Sequence, residues 1–168
     1  MSVRSQRRAC RALAHVTRDE PEGSLAAAVV AGAPDAIVAA LRVHAGVAEV
    51  AEEGCAALAN IAGLPAGQQT AADAGAPGAI VTALRVHASI TGVAVEAIRA
   101  LNSISTLPAG LQAIVDAGAP AAIVAAMRAQ AGIAEVADIG CRTLVNISTL
   151  PAGREAVLAT GWHPPSYD

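Results

Sequence analysis

The stretch AGAPDAIVAALRVHAG at residues 31–46 occurs three times in this 168-residue chain with only small changes. It returns as AGAPGAIVTALRVHAS at residues 74–89 and as AGAPAAIVAAMRAQAG at residues 117–132. Two markers recur every 43 residues: the glycines Gly32, Gly75 and Gly118, and the prolines Pro65, Pro108 and Pro151. A fixed period of this length is typical of proteins built from stacked repeats.

The register predicts a single domain of stacked units rather than several independent domains. CRALAHV, from Cys10, matches CAALANI, from Cys55, once two extra residues are allowed between them, and Gly161 follows Gly118 by another 43 residues. The predicted boundaries are an N-terminal partial repeat at 1–31, full repeats at 32–74, 75–117 and 118–160, and a tail at 161–168.

The composition favours closely packed helices. The chain is 54% hydrophobic, contains no Phe and is only 1% aromatic, so its core must be built from small aliphatic side chains. No apolar run approaches the roughly 18 residues of a membrane span, and we predict none. The first 18 residues carry five arginines without an acid, as some transit peptides do, but most of them align with a repeat helix.

Proline and glycine divide each unit into three helices. Each Leu-Pro pair, such as Leu64-Pro65, ends a helix because the residue before proline is pushed out of the helical region. A short helix is predicted from about Ala66 to Ala74. Gly75 should end it in the left-handed conformation, and Pro77 should open the next helix. The third helix is the longest, and the fold class is therefore all-α.

The third helix carries two stripes. Val50, Gly54, Leu58 and Ile61 are spaced by four, four and three residues, as are their equivalents in the next two units, which predicts a core stripe. We expect its small members, Gly54, Ala97 and Gly140, to admit a neighbouring backbone. The opposite side forms a second, partly polar stripe, where we expect function to lie.

The unit resembles an armadillo repeat in its AGA turn and in the A-L-x-N-I pattern of its third helix, as in CAALANIA and CRTLVNIS. The resemblance extends from about Arg4 to Thr160. It implies a right-handed superhelix of three-helix units whose third helices line a concave groove for extended peptides. HEAT repeats are the nearest alternative, but the three-helix punctuation favours armadillo.

The resemblance also implies binding residues. In the family, an Asn on the third helix bonds the peptide backbone, and a Trp one turn earlier packs between its side chains. The Asn position holds Asn60, Ser103 and Asn146, with His15 in the partial repeat. The Trp position holds Ala56, Arg99 and Arg142, with Arg11 before them. Without Trp walls, the groove does not suit the basic side chains that nuclear-import receptors of the family hold. Arginines there favour an acidic segment, as in catenin-like members.

A plainer interpretation of these arginines stays open. Glu96 lies three residues before Arg99 on the same helix, and Glu53 occupies the equivalent position one unit earlier. These charged side chains therefore either contact a bound peptide or form ion pairs with one another on a solvent-exposed face.

The remaining chemistry is sparse, and we expect no enzyme, cofactor or metal. The chain has no phosphate-binding glycine loop, no nucleophile with a base at a recognised spacing and no ligand cluster. Cys55 and Cys141 are expected to be buried and reduced, which favours an intracellular location, the cytoplasm or alternatively the nucleus. His44, His87 and Gln130 recur at a helix end, where capping of carbonyl groups is favoured over metal binding.

The ends of the chain suggest a second hypothesis. All fourteen acids follow the five arginines of the first 18 residues, so the chain is bipolar and suited to head-to-tail association. Nucleic acid is a disfavoured partner because the chain has no Lys and no aromatic residue near these arginines. Trp162 and Tyr167 either cap the last repeat or mark a contact with another copy. The chain is then an excerpt of a longer array, or a self-assembling scaffold or homo-oligomer that associates through its repeat ends, rather than a peptide binder.

Overall fold

The computed structural model describes Arg4, Arg11, Val29 and residues 31–163, and within these residues the regular structure is entirely helical. The helices are α1 (Ala33–Val43), α2 (Ala48–Ile61), α3 (Pro65–Asp73), α4 (Ala76–Val86), α5 (Thr91–Ile104), α6 (Pro108–Asp116), α7 (Ala119–Ala129), α8 (Ala134–Ile147) and α9 (Pro151–Leu158). None of them alone is long and apolar enough to cross a membrane. Only α6 and α7, a pair bent by 71°, reach that length and composition together.

The helices follow the predicted period of three per unit. The long helices α2, α5 and α8 have 14 residues each, and each is followed by a short helix of eight or nine residues. The predicted three-helix organisation is confirmed. The short helix begins one residue before its predicted start, at Pro65, because the missing N–H of a proline costs nothing in the first helical turn.

The AGA turn reverses the chain through one left-handed glycine in each unit. Gly75 has φ 75° and ψ 29°, and Gly32, Gly118 and Gly161 have φ between 73° and 79°. A residue with a Cβ is strained in this region, so the predicted left-handed role of Gly75 is confirmed. Pro77 lies in the first turn of α4, as predicted.

The core stripe of the long helices is buried as predicted, but one expectation about it is wrong. Gly54 and Gly140 do not admit a neighbouring backbone. A Cβ at Gly54 would lie 2.8 Å from Cδ2 of Leu41, and one at Gly140 would lie 2.6 Å from Sδ of Met127. The small residues therefore receive a large side chain from the preceding helix of the same unit.

The close approach of two backbones occurs instead at the glycine of each LPAG. A Cβ at Gly110 would lie 2.2 Å from the carbonyl oxygen of Ile104, and Gly67 and Gly153 stand in the same relation to Ile61 and Ile147. The short helix crosses directly over the last turn of the long helix, and only glycine fits there. This contact fixes how the short helix packs on the long helix of the same unit.

Polar side chains at the C-terminal ends of α4 and α7 bond to backbone carbonyls of neighbouring turns. In the last helical turn, Arg85 donates to the carbonyl of Gly118, the first residue of the next unit, at 3.3 Å, and Arg128 donates to that of Thr160 at 3.1 Å. At the helix terminus, Nε2 of His87 bonds the carbonyl of Ala45 at 2.9 Å, and Nε2 of Gln130 donates to that of Ala88 at 3.2 Å. The predicted capping role of His87 and Gln130 is confirmed, and the carbonyl belongs to the preceding unit.

Candidate functional site

The long helices pack side by side, α2 against α5 and α5 against α8, and they carry the second stripe predicted from the sequence. We call this stripe the polar face. Its residues are Glu53, Ala56 and Asn60 on α2, Glu96, Arg99 and Ser103 on α5, and Ile139, Arg142 and Asn146 on α8. Ala56 is buried and Arg142 is exposed, and the other seven are half-buried. The face is thus accessible along its length.

Asn146 is held by hydrogen bonds to the neighbouring long helix. Its Nδ2 atom donates to Oδ1 of Asn102 at 3.2 Å and to Oγ of Ser105 at 3.3 Å. A side-chain amide has two N–H donors and one acceptor oxygen. Both donors therefore point to α5, and the carbonyl oxygen is the group of Asn146 suited to a ligand.

Arg99 joins two helices of the polar face. Its guanidinium pairs with Glu96 on the same helix, and its Nη2 atom lies 3.5 Å from Oδ1 of Asn60 on α2. The Nε atom of Arg99 is buried without a hydrogen-bond acceptor. The structure therefore contains the intrahelical ion pair that the sequence allowed, and this arginine bridges adjacent units.

The other charged residues of the face are also paired within the chain. Arg142 bonds Asp138 one turn earlier on α8, and both side chains are exposed. Nε of Arg11 lies 3.9 Å from Oε1 of Glu53. Exposed ion pairs of this kind contribute only about 0–1 kcal/mol, so a charged ligand displaces them at little cost.

The remaining predicted residues lie at the margins of the face or beyond the described chain. Ser103 is half-buried, and its backbone carbonyl accepts a hydrogen bond from Oγ1 of Thr106 at 3.0 Å. His15 and Tyr167 lie outside the described residues. Trp162 is half-buried against the core, where the next unit's second helix would begin, and its backbone N–H donates to Oγ1 of Thr160 at 3.2 Å.

The long helices together carry more negative than positive charge. Their charged residues are six acids, Glu49, Glu52, Glu53, Glu96, Glu135 and Asp138, and two bases, Arg99 and Arg142. The carboxylate of Glu52 lies against Gly92 in the first turn of α5, where a negative charge is favoured by the helix dipole. The three helices together therefore carry a net negative charge, whereas the polar face itself holds two acids, Glu53 and Glu96, and two bases, Arg99 and Arg142.

Cys141 is half-buried on α8, whereas Cys55 is buried as predicted. Burial raises the pKa of the Cys141 thiol, and the neighbouring Asp138 carboxylate raises this pKa further. Among residues 31–163 no group of three His, Cys, Asp or Glu side chains is arranged to hold a metal ion.

Sequence reasoning missed the polar cluster between α5 and α8. Asn102 accepts from Asn146, and Oγ1 of Thr143 lies 3.5 Å from the same oxygen. Asn102 is one residue off the register of the polar face, about 100° around the helix, so it points to α8. The equivalent residue of the first unit is Ala59, so the 43-residue repeat does not indicate a polar contact at residue 102.

Two of the solved structures similar to this chain are crystal structures of engineered proteins from the Northeast Structural Genomics Consortium. The first is 30% identical with a TM-score of 0.80, and the match covers 96% of this chain and 64% of that one. The second is 27% identical with a TM-score of 0.80, covering 94% and 64% of the two chains.

A third similar structure is a designed armadillo repeat protein in complex with the peptide (KR)4. It is 23% identical with a TM-score of 0.77, and the match covers 92% of this chain and 63% of that one. This chain thus spans a little under two thirds of the length of each of the three. No protein-family model and no curated protein matches its sequence.

Proposed function

The chain has an armadillo-like repeat fold, and from this premise we propose that it is a non-catalytic protein-interaction module that binds an extended peptide along its polar face. An extended segment presents unpaired N–H and C=O groups at regular intervals, and side chains spaced by a fixed repeat suit such a ligand. The observation that carries the proposal is the recurrence of Asn60 and Asn146 at equivalent half-buried positions, two units apart.

Asn146 would act as an acceptor. Because both of its N–H groups bond α5, its oxygen is the group that takes a peptide N–H. Losing such a bond costs about 1–3 kcal/mol when the peptide group stays buried. A main-chain contact of this kind is insensitive to the peptide's side chains and sets its direction and register.

Three units limit the length of the segment. Packed helices lie about 8–10 Å apart, and an extended chain advances about 3.3 Å per residue. Each unit therefore contacts about three residues, and the polar face contacts about eight. A segment of this size corresponds to an affinity in the micromolar range, about −8 kcal/mol.

A separate part of the proposal concerns whether the bound peptide segment is basic or acidic. The sequence predicted an acidic segment held by Arg99 and Arg142, but each arginine now has a carboxylate partner on its own helix. With six acids and two arginines on the long helices, we propose that basic side chains are preferred, as in the (KR)4 complex of the designed protein. An acidic segment is the competing prediction, and it would bind by displacing Asp138 from Arg142.

A second candidate function is self-assembly through the end of the repeat stack. One observation favours it. The outer side of α8 leaves Ala137 and Val145 exposed, whereas the equivalent alanines on α2, Ala51 and Ala59, are buried. In this proposal the chain is a scaffold module that associates through its repeat ends, with a further repeat of a longer solenoid or with another copy.

The experiment for the first proposal is a fluorescence-anisotropy titration with labelled (KR)4 and with an acidic peptide of the same length. The variants are Asn60→Ala/Asn146→Ala and a matched control, Gln69→Ala/Gln112→Ala, which removes two exposed amides from the short helices. We expect (KR)4 to bind in the micromolar range, and the asparagine variant to lose about tenfold or more, equivalent to 1.4 kcal/mol.

The outcomes separate the parts of the proposal. If the acidic peptide binds more tightly than (KR)4, the proposed charge preference is wrong, but peptide binding along the polar face stands. Equal loss in the asparagine variant and in the glutamine control rejects recognition through the asparagines. Absence of binding by either peptide up to about 1 mM rejects the proposed function.

A further inference from the structure

The central arginine of the polar face, Arg99, contacts two groups that a bound peptide would also use. Its guanidinium pairs with the carboxylate of Glu96, and its Nη2 atom lies 3.5 Å from Oδ1 of Asn60 on the neighbouring long helix. Asn60 is one of the two asparagines on which the proposed peptide binding depends. Arg99 therefore lies where a ligand would lie, against acceptor oxygens that a ligand's N–H groups need.

The contact between Arg99 and Asn60 is long. Hydrogen bonds from N–H groups to oxygen usually measure about 2.7–3.2 Å, and the observed 3.5 Å lies beyond that range. A ligand N–H at an ordinary distance makes a stronger bond with the same oxygen than Arg99 does. The contact is thus weak enough for a ligand to replace it.

The bound position of Arg99 leaves one of its own donors unsatisfied. The Nε atom is buried, and no group of the described residues accepts a hydrogen bond from it. A buried donor without an acceptor is unfavourable because it has lost its hydration. The side chain as a whole is 36% exposed, so its outer part can turn toward solvent, where Nε regains water. Arg99 therefore gains a hydrogen bond when a ligand displaces it.

Arg142, the equivalent arginine of the next unit, makes no such contact. It bonds Asp138 on its own helix, and its side chain is 58% exposed. The residue equivalent to Glu96 is the apolar Ile139, and within the described part of the chain Arg142 has no hydrogen bond to the neighbouring helix. The contact with a peptide-binding asparagine is therefore particular to Arg99, and Arg142 serves as a control of equal charge and position.

From these contacts we infer that Arg99 is an internal competitor of the peptide. Asn60 and Glu96 form a subsite for a basic side chain, which Arg99 occupies in the free chain and a Lys or Arg of the peptide occupies in the complex. An amide oxygen and a carboxylate are both acceptors, so the group that they hold together is a cation with several N–H donors. The inference rests on the proposed peptide binding and identifies the residue that limits its affinity.

The two asparagines then contribute unequally. A ligand at Asn60 must exchange the contacts of Arg99 for its own, so it gains little there. Asn146 bonds the neighbouring helix through its N–H groups and not through its oxygen, so a ligand meets no arginine at that oxygen. Removal of Arg99 should therefore tighten the binding of a basic peptide and raise the contribution of Asn60.

The first test is a fluorescence-anisotropy titration of the full chain with labelled (KR)4. Arg99→Ala opens the subsite, and Arg142→Ala removes the same charge from the equivalent position. We expect Kd to fall about fivefold or more in Arg99→Ala and to change by less than about twofold in Arg142→Ala. Arg99→Lys keeps the charge but lacks the planar set of donors that bridges Glu96 and Asn60, so it should also tighten binding.

The second test is a double-mutant cycle in the same assay. Asn60→Ala should cost at least about threefold more affinity for (KR)4 in the Arg99→Ala background than in the wild type. In the Arg142→Ala background its cost should equal that in the wild type, because Arg142 lies two units from Asn60 and shares no contact with it. Circular dichroism checks that each variant is folded, and Arg99→Lys decides the question if Arg99→Ala is not.

The unfavourable outcomes are distinct. If folded Arg99 variants bind (KR)4 no more tightly than Arg142→Ala does, Arg99 is not a competitor, although peptide binding stands. Weaker binding of (KR)4 by Arg99→Lys, or tight binding of an acidic peptide that is lost in Arg99→Ala, overturns the inference and makes Arg99 a ligand contact. Absence of (KR)4 binding by the wild type and by every variant up to about 1 mM overturns the inference together with the proposed basic ligand.

Discussion

Replacing Gly110 with alanine tests the close packing of the short helix α6 on the last turn of the long helix α5. A Cβ at this position would lie 2.2 Å from the backbone oxygen of Ile104 and 2.9 Å from its Cγ2 atom. Ordinary contacts between carbon and a carbonyl oxygen lie at about 3.3–3.6 Å. The start of α6 must therefore move by about 1 Å from the end of α5, since a backbone oxygen cannot rotate away.

The size of the effect follows from two opposing terms. Alanine is favoured over glycine within a helix by about 0.8–1.0 kcal/mol. Overpacking a well-packed site costs about 1–3 kcal/mol, and more where the obstructing atom belongs to the backbone. We expect a net loss of about 2 kcal/mol or more. In a chain of this size, Tm falls by about 2–4 °C for each kcal/mol lost from the free energy of unfolding, so we expect Tm to decrease by roughly 4–8 °C.

Gly78→Ala is the matched control. Gly78 also lies near the start of a helix, but a Cβ there would have nothing within 4 Å. The third unit already has alanine at the equivalent position, Ala121. Here only the helix propensity acts, and we expect a gain of about 0.5–1 kcal/mol.

Thermal unfolding followed by circular dichroism at 222 nm measures both variants under the same conditions. Although both variants replace glycine with alanine, the change in the free energy of unfolding should have opposite signs in Gly110→Ala and Gly78→Ala. Equal stabilisation by Gly110→Ala and Gly78→Ala would refute the close approach of α6 to the last turn of α5.

Three further predictions concern two contacts between units and one electrostatic coupling within α8. His87→Gln should be nearly neutral, since Gln130 makes the same bond one unit later, whereas His87→Ala should lower the free energy of unfolding by about 0.5–1.5 kcal/mol in urea titrations. Asn102→Ala should cost about 1–3 kcal/mol and lose its effect in an Asn146→Ala background, as a double-mutant cycle would reveal. Asp138→Asn should lower the pKa of the Cys141 thiol, because a like charge is removed, and should speed its alkylation by iodoacetamide at pH 8; an unchanged rate would contradict the electrostatic coupling.

Most of the fold follows from the sequence because each unit repeats the same local signals. The left-handed Gly75, the proline starts of the short helices and the buried stripe from Val50 to Ile61 each depend on neighbours within one unit. Such signals can be recognised in the sequence without knowledge of tertiary contacts, and their occurrence in three copies strengthens the prediction. The one helix whose bounds are predicted, from about Ala66 to Ala74, agrees with the observed Pro65–Asp73 to within a residue at each end.

The polar face is less predictable because its contacts join different units. The role of Asn102 depends on its angle to α8, and the next unit has an apolar Val145 in its place, so no periodic pattern marks it. The pairing of Arg142 with Asp138 was missed because the equivalent residue before Arg99, Val95, carries no charge. In the sequence, the glycine of each LPAG is recognised only as a marker of the period. The backbone carbonyl that leaves no room for a Cβ at this position comes into contact with it only after folding.

The most direct measurement of the central claim is an NMR titration of the labelled chain with (KR)4, followed through backbone amides and the Asn side-chain NH2 groups. We expect shifts along α2, α5 and α8, including the side-chain signals of Asn60 and Asn146, with the short helices α3, α6 and α9 unchanged. Saturable binding whose shifts fall on the short helices, or leave both asparagines unmoved, would contradict the claim.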